Sequence, residues 1–180
     1  MVKPETAADE HTYNVSILLP KDGDENYALD PKGDEIIAKW HNTPDPGEEW
    51  TYPPLSLHTS GDGHYHLYVC WDDNSMSTEH EMDADGKVTS YDLGTYLTDK
   101  GNWVDWTFHV KWGWLISQHP IMQIYKNGNK ILELKDKPNT TNDKIGVSME
   151  LGIDKNQWAV KNNPSILTTR VIYYDNVRIQ

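Results

Sequence analysis

A period of two in the residues of 103–112 restricts the fold of this chain more than any other feature. One set of alternate positions is wholly apolar, and the other set is polar except for Trp103; the apolar set is Val104, Trp106, Phe108, Val110 and Trp112, and the other is Trp103, Asp105, Thr107, His109 and Lys111. A period of two is typical of a half-buried strand, which has one face against a core and the other accessible to solvent. The pattern therefore predicts that His109 and Lys111 lie on the accessible face of this strand.

Short runs separated by turn residues extend over the rest of the chain. Two β-prone runs, 121–125 and 131–134, flank Asn127-Gly128, and Asn-Gly is the strongest short signal for a hairpin. Other short runs lie at 11–19, 35–41, 55–59, 64–71, 144–153 and 168–179. No amphipathic helix of ten or more residues stands out. The sequence predicts an all-β fold, a jelly-roll (concanavalin-like) sandwich of two antiparallel sheets, with a short tail over 1–10 and one domain over 11–180.

Aromatic residues with polar tips are abundant, since the chain of 180 residues has eight Trp and ten Tyr but one Phe. Such residues serve both in cores and as half-exposed platforms on which flat ligands stack. Sugar rings have apolar C–H faces that suit these platforms. Most of the aromatic residues are nevertheless expected in the core, because large aromatic side chains are usually well buried.

The net charge of −12 makes nucleic acid a poor partner, because phosphate binding depends on clustered Lys and Arg. Cys70 is the only cysteine, so no intrachain disulfide can form. No run approaches the roughly 18 apolar residues of a membrane span, and the first residues lack an apolar signal-peptide segment. We expect a monomer that contacts neither nucleic acid nor membrane.

Three segments carry a resemblance to a known family. They are TYNVSILLPKD with EIIAKWHNTPD within 12–45, WVDWTFHVKW with IMQIYKNG within 103–128, and RVIYYDNVRI at 170–179. Together they resemble the polysaccharide lyase family that includes heparin lyase I and glucuronan lyase, β-jelly rolls whose concave face holds an extended sugar chain. The resemblance implies a polysaccharide partner, a secreted or periplasmic location, and β-elimination on a uronic acid.

β-Elimination of a uronic acid needs three groups: a base for the C5 proton, a group that neutralises the carboxylate, and an acid for the departing O4. His41 falls in the family's Gln-Trp-His-like segment and is the candidate base; the alternative is a loop histidine bonded to the backbone. Lys39 stands where Gln is expected and is the candidate neutralising group, and Tyr125 is a candidate acid. Further substrate contacts are predicted at Trp40, His109, Lys111, Gln123, Glu150 and Asp154, with Trp112 as an alternative stacking residue.

The segment 148–154 departs from the family pattern. Family members resemble Tyr-Phe-Lys-Trp-Gly-Ile-Tyr there, and the positions of the Lys and the last Tyr are Glu150 and Asp154 in this chain. An acidic pair repels a uronate. If both carboxylates face the groove, a non-catalytic carbohydrate-binding module is favoured over elimination of a polyuronate. A sandwich-fold glycoside hydrolase is a further alternative, although residues four apart on a strand lie about 13 Å apart along it. A laminin-like interaction domain is a third hypothesis.

Metal-binding patterns are incomplete in this sequence. His64 and His66 share a strand face, but no third ligand follows at a telling spacing. The run 83–86 begins like a calcium loop and lacks the later ligands. The run 81–85 faintly resembles the Glu-x-Asp-x-x-Glu strand of glucanases and is predicted to be a solvated loop. We expect no metal site in these residues and no required cofactor, and we leave a structural calcium open.

Overall fold

The fold is a sandwich of two five-stranded antiparallel sheets, seen in a computed structural model that describes residues 9–162 and 165–180. The strands are β1 (Glu10–Leu18), β2 (Asp34–Thr43), β3 (Leu55–Ser60), β4 (His64–Cys70), β5 (Val88–Thr95), β6 (Trp103–Lys111), β7 (Ile121–Lys126), β8 (Asn129–Lys135), β9 (Ile145–Asp154) and β10 (Tyr173–Ile179). The first sheet has the order β10-β1-β6-β7-β8 and the second the order β5-β4-β3-β2-β9. The predicted jelly-roll sandwich is confirmed.

The core lies between the two sheets and is dominated by aromatic rings. The predicted packing face of β6 is confirmed, because its residues are at most 3 % exposed: Val104, Trp106, Phe108, Val110 and the following Trp112. Trp40 of the second sheet lies 4.6 Å from Phe108 of the first, measured between ring centroids, and Tyr65 lies 5.1 Å from Trp106. These contacts join the inner faces of both sheets, so the opposite faces of both sheets point outward.

The Asn-Gly pair forms the predicted hairpin. Asn127 and Gly128 have φ values of 50° and 76°, and the two strands that they connect, β7 and β8, are paired from Ile121 with Lys135 to Lys126 with Asn129. Positive φ at both central residues is the geometry that favours Asn-Gly in a two-residue hairpin turn. This hairpin prediction is confirmed.

Several local predictions are wrong. The strands predicted from the sequence did not include β5, an edge strand in which polar residues interrupt the apolar pattern. A short helix, α1 (Glu79–Ala84), replaces the loop predicted over 81–85; the Thr78 side chain accepts a hydrogen bond from the Glu81 amide, and Met82 is fully buried. Glu10 belongs to β1 rather than to a tail, while residues 1–8 lie outside the described part of the chain.

A buried ionic cluster connects β2 to the segments that follow β9. Glu35, on the inner face of β2, accepts hydrogen bonds from Lys155 at 2.6 Å and from Arg170 at 2.8 Å, and also from the hydroxyl of Tyr27. Lys155 contacts Asp30 at 3.0 Å as well. Because Glu35, Lys155 and Arg170 are 0 to 2 % exposed at their side chains, removing one partner leaves uncompensated charge inside the protein.

Glu35→Ala is expected to lower the free energy of unfolding by about 3–5 kcal/mol, because Lys155 and Arg170 lose their shared carboxylate in a buried place. Urea unfolding followed by tryptophan fluorescence measures the change. Glu133→Ala removes a carboxylate that pairs with lysines at the surface of β8 and is the control, for which little change is expected. Equal unfolding midpoints for Glu35→Ala and the wild type would contradict the role of this cluster.

Candidate functional site

The outward face of the second sheet is polar. Because Trp40 points into the core, its neighbours Lys39 and His41 point outward. Lys39 lies opposite Ser56 of β3 and Glu150 of β9 in the strand register. Residues that share this outward face are Asp34, Lys39 and His41 of β2, Ser56 and His58 of β3, His66 and Tyr68 of β4, and Ser148, Glu150 and Asp154 of β9.

Two adjoining cavities cross this face and share Ile36 and Asp154. The first has a volume of about 590 Å³ and contacts Lys39, Glu150 and Trp158. The second has a volume of about 350 Å³ and is lined by residues of β2, β3, β4 and the 52–53 and 83–88 segments, among them Asp34, Tyr52, Ser56, His58, Tyr68 and Asp83. We call the two cavities together the groove. It runs across β9, β2, β3 and β4.

Glu150 and Asp154 both face the groove and both bind Lys39. The Nζ atom of Lys39 lies 3.5 Å from Glu150 Oε2 and 3.2 Å from Asp154 Oδ2. The strand-rise argument, which separates the two residues by about 13 Å, is wrong for their carboxylates. An extra residue in β9 shifts its register against β2, and both side chains turn toward the same ammonium group.

His41 has a defined proton arrangement beside an exposed tryptophan. Its Nδ1 lies 3.0 Å from the carbonyl oxygen of Asn42, which can only accept, so Nδ1 carries the proton and Nε2 is unprotonated in the neutral ring. The Trp50 ring lies 5.1 Å away in an edge-on arrangement and is 65 % exposed. This geometry suits a proton acceptor, and the catalytic role of His41 stays a prediction.

An Asp-His-Ser chain lies along the second cavity. His58 Nδ1 is 3.0 Å from both carboxylate oxygens of Asp34, and His58 Nε2 is 2.8 Å from Ser56 Oγ. Burial disfavours ionisation of Asp34, but hydrogen bonds from His58 and Ser60 outweigh it and lower the pKa of Asp34 below its usual value. The Tyr68 ring lies 4.4 Å from the His58 ring. The sequence expectations did not include this hydrogen-bonded trio, although the i, i+2 spacing of Ser56 and His58 places both on one strand face.

Four predicted site residues lie on the opposite side of the sandwich. His109, Lys111, Gln123 and Tyr125 share the outward face of the first sheet, where β6 pairs with β7. The Tyr125 hydroxyl donates to Gln123 at 3.1 Å. The structure therefore brings these four together but separates them from His41 and Lys39 by the thickness of the core.

The expectation that Trp40 or Trp112 stacks on sugar is wrong. Their side chains are 0 % and 1 % exposed and pack among core rings, so neither presents a face to a ligand. Trp50 and Trp158, which are 65 % and 41 % exposed, lie beside the outward face of the second sheet instead. Trp50 could have been found in the sequence, because it follows a Pro-, Gly- and acid-rich stretch that is typical of an exposed loop.

No cluster of three or more metal-binding side chains occurs in residues 9–162 and 165–180. His64 contacts Asp92 at 2.9 Å and His66 contacts Asp62 at 2.8 Å, so each imidazole faces a carboxylate of its own. A structural calcium, which the sequence leaves open, is not tested by these contacts. Among the described residues, none of the helices is long and apolar enough to span a membrane.

Comparison with known proteins gives the family. A sequence profile described as polysaccharide lyase matches residues 1–178. The chain belongs to the polysaccharide lyase family. No curated protein matches the sequence. The resemblance seen in the three sequence segments is therefore confirmed at the level of the family.

Solved structures with a similar fold include lyases of acidic polysaccharides. An endo-β-1,4-glucuronan lyase from the fungus Trichoderma reesei has a TM-score of 0.73 at 16 % identity, over 98 % of this chain and 70 % of that one. Alginate lyase AlyC3 has a TM-score of 0.60 at 13 % identity, over 99 % and 66 %. A mutant of alginate lyase Aly36B in complex with an alginate trisaccharide has a TM-score of 0.54 at 16 % identity, over 99 % and 72 %. At these identities the likeness shows the fold.

Trp50→Ala is expected to change the free energy of unfolding by less than about 0.5 kcal/mol and to weaken binding of a glycan ligand several-fold. Trp40→Ala is the matched variant in the core, where a loss of about 3–5 kcal/mol is expected. Urea unfolding and affinity electrophoresis in glycan-containing gels measure the two quantities. If the glycan in the gel slows Trp50→Ala as much as it slows the wild-type protein, Trp50 is not a stacking residue.

Proposed function

We propose that the protein binds an extended polysaccharide of neutral or low charge in the groove of the second sheet. The groove combines an open channel, outward-facing polar side chains and the exposed Trp158, and the exposed Trp50 contacts His41 on the same face of the sheet. Hydroxyl groups of a neutral sugar can donate to carboxylates and imidazoles, while the indole rings take the apolar faces of the sugar. The lyase neighbours support a polysaccharide as the class of ligand.

The pairing of Lys39 with two carboxylates is the observation that supports this proposal most directly. Within the five described strands of the second sheet, Lys39 is the only Lys or Arg. Its ammonium group is shared by Glu150 and Asp154, so the three side chains together carry a net negative charge. Lys155, the other lysine among the described residues that line the groove, is bonded to Asp30 and Glu35. A uronate that enters the groove therefore meets the negative charge around Lys39, whereas a neutral sugar meets no such repulsion.

Elimination is the second candidate function, and the geometry of His41 favours it. Its unprotonated Nε2 is suited to accept a proton, and Lys39, two residues away on the same strand face, could neutralise a carboxylate if it released its own partners. Tyr125 is on the other sheet and does not serve as the acid in this groove. The two candidates differ in the charge of the ligand and in the appearance of an unsaturated product.

Because the side chains around Lys39 carry a net negative charge, the protein is expected to bind neutral glucans and xylans more strongly than polyuronates such as alginate and glucuronan. Affinity electrophoresis and titration calorimetry at low ionic strength compare the two classes, because salt screens the repulsion. Raising the salt concentration is expected to weaken the discrimination. Tighter binding of polyuronates than of neutral glycans would contradict the proposal.

The Glu150→Gln/Asp154→Asn double variant tests the second candidate. If His41 and Lys39 support elimination, freeing Lys39 should raise the rate of unsaturated-product formation from a polyuronate, followed by ultraviolet absorbance. Adding His41→Ala should then lower turnover by about 10² to 10⁴ with little change in binding. Absence of product from the wild type and from the double variant would leave binding as the function.

The secreted or periplasmic location stays a prediction. It rests on the family, whose ligands are polysaccharides outside the cell.

A further inference from the structure

We propose that Ser56, His58 and Asp34 form a nucleophilic relay that removes small uncharged acyl groups, such as O-acetyl esters, from a glycan bound in the groove. The geometry in the second cavity carries this inference. It assigns an ester-cleaving activity to the outward face of β3, separate from the eliminating role considered for His41. The glycan part of the substrate rests on the proposed function, and the relay itself does not.

The hydrogen-bond directions in the chain match those that a nucleophilic serine needs. The Asp34 carboxylate only accepts, so His58 Nδ1 carries a proton and donates it to Asp34 at 3.0 Å. In the neutral ring His58 Nε2 is then an acceptor, and the Ser56 hydroxyl donates to it at 2.8 Å. A base held in one tautomer by a carboxylate and bonded to a hydroxyl is the arrangement that activates serine toward carbonyl carbon.

Tyr68 is the oxyanion partner of Ser56 in the proposed relay, and it lines the same cavity. The register places Lys39 of β2 and Tyr68 of β4 directly opposite Ser56, on the same face of the sheet. Burial raises the pKa of Tyr68, with a further contribution from Asp34, so its phenol keeps the proton that it would donate. A hydroxyl donor therefore lies beside the position where charge develops when serine attacks an ester, while the ammonium group of Lys39 is held by Glu150 and Asp154.

Hydrolysis of the ester needs only these residues and water. Ser56 Oγ forms a bond to the ester carbonyl carbon while its proton passes to His58 Nε2. The tetrahedral intermediate then expels the sugar hydroxyl, which takes that proton, and leaves an acetyl group on Ser56. Water, deprotonated by His58, attacks the acetyl carbon; acetate leaves and Ser56 recovers its proton.

The surroundings of the relay select the acyl group. The second cavity has a volume of about 350 Å³, and the carboxylates of Asp34, Asp83 and Asp154 line it. An acyl group with its own negative charge is repelled there, whereas an acetyl group is small and uncharged. Ser56 is 3 % exposed and lines this cavity, from which an ester would approach it.

The first test is labelling of the wild-type protein with diisopropyl fluorophosphate, followed by mass spectrometry of the peptides. The relay predicts one added phosphoryl group, located on Ser56.

Acetate release from O-acetylated cello-oligosaccharides and hydrolysis of 4-nitrophenyl acetate measure the activity. Ser56→Ala and His58→Ala should each lower kcat about a hundredfold or more. Ser16→Ala is the matched control, because Ser16 is 4 % exposed and bonds Asp105 at 2.6 Å on the first sheet.

Asp34 acts through His58, so its test separates positioning from folding. Asp34→Asn should lower kcat at least about tenfold with KM unchanged, whereas a purely structural role would lower the amount of folded protein and leave kcat per folded molecule unchanged. Urea unfolding reports the folded fraction of each variant.

The outcomes distinguish the relay from glycan binding. Binding of neutral glycans without labelling or acetate release overturns the relay and leaves the proposed function intact. Labelling of Ser56 and hydrolysis of 4-nitrophenyl acetate without glycan binding support the relay and overturn the proposed function. Equal activity of Ser56→Ala and the wild type overturns the relay.

Discussion

The contact of Trp40 with Phe108 across the core sets the orientation of β2, and the site depends on that orientation. With Trp40 fixed between the sheets, the strand period places Lys39 and His41 on the outer surface. A slip of one residue would bury a lysine and a histidine and expose an indole ring, at a large cost in free energy. The burial of one aromatic side chain thus specifies which polar groups of β2 lie on the outer face of the sheet.

The pairing of β2 with β9 then determines the electrostatics. Lys39 lies opposite Glu150, and the register shift in β9 brings Asp154 to the same ammonium group. An exposed ion pair contributes little to stability, so this cluster is better understood through its effect on ligands than on folding. The acidic character of this part of the groove follows from two carboxylates on one strand that share a single lysine.

The sequence could predict the faces of strands but not the sheet to which each face belongs. The alternation in β6 was sufficient to predict the strand and its buried aromatic residues, and the Asn-Gly pair was sufficient to predict the hairpin. They gave no reason to place His109 and Gln123 on the side of the sandwich opposite His41, because strand order depends on long-range pairing. The same limit hid the Asp34 and His58 contact, since residues 24 apart in the chain meet only through the pairing of β2 with β3.

Rigid support makes the outward face of β3 suited to chemistry as well as to binding. Ser56 and His58 are held on one strand by hydrogen bonds to β2 and β4, and Asp34 adds a third fixed point from β2. A sheet positions side chains more accurately than a loop does, because backbone pairing limits movement of each residue. In both proposals the same carboxylates disfavour uronates and favour neutral, acylated sugars as ligands. Glycan charge and ester chemistry therefore depend on the same small set of side chains between β9 and β4.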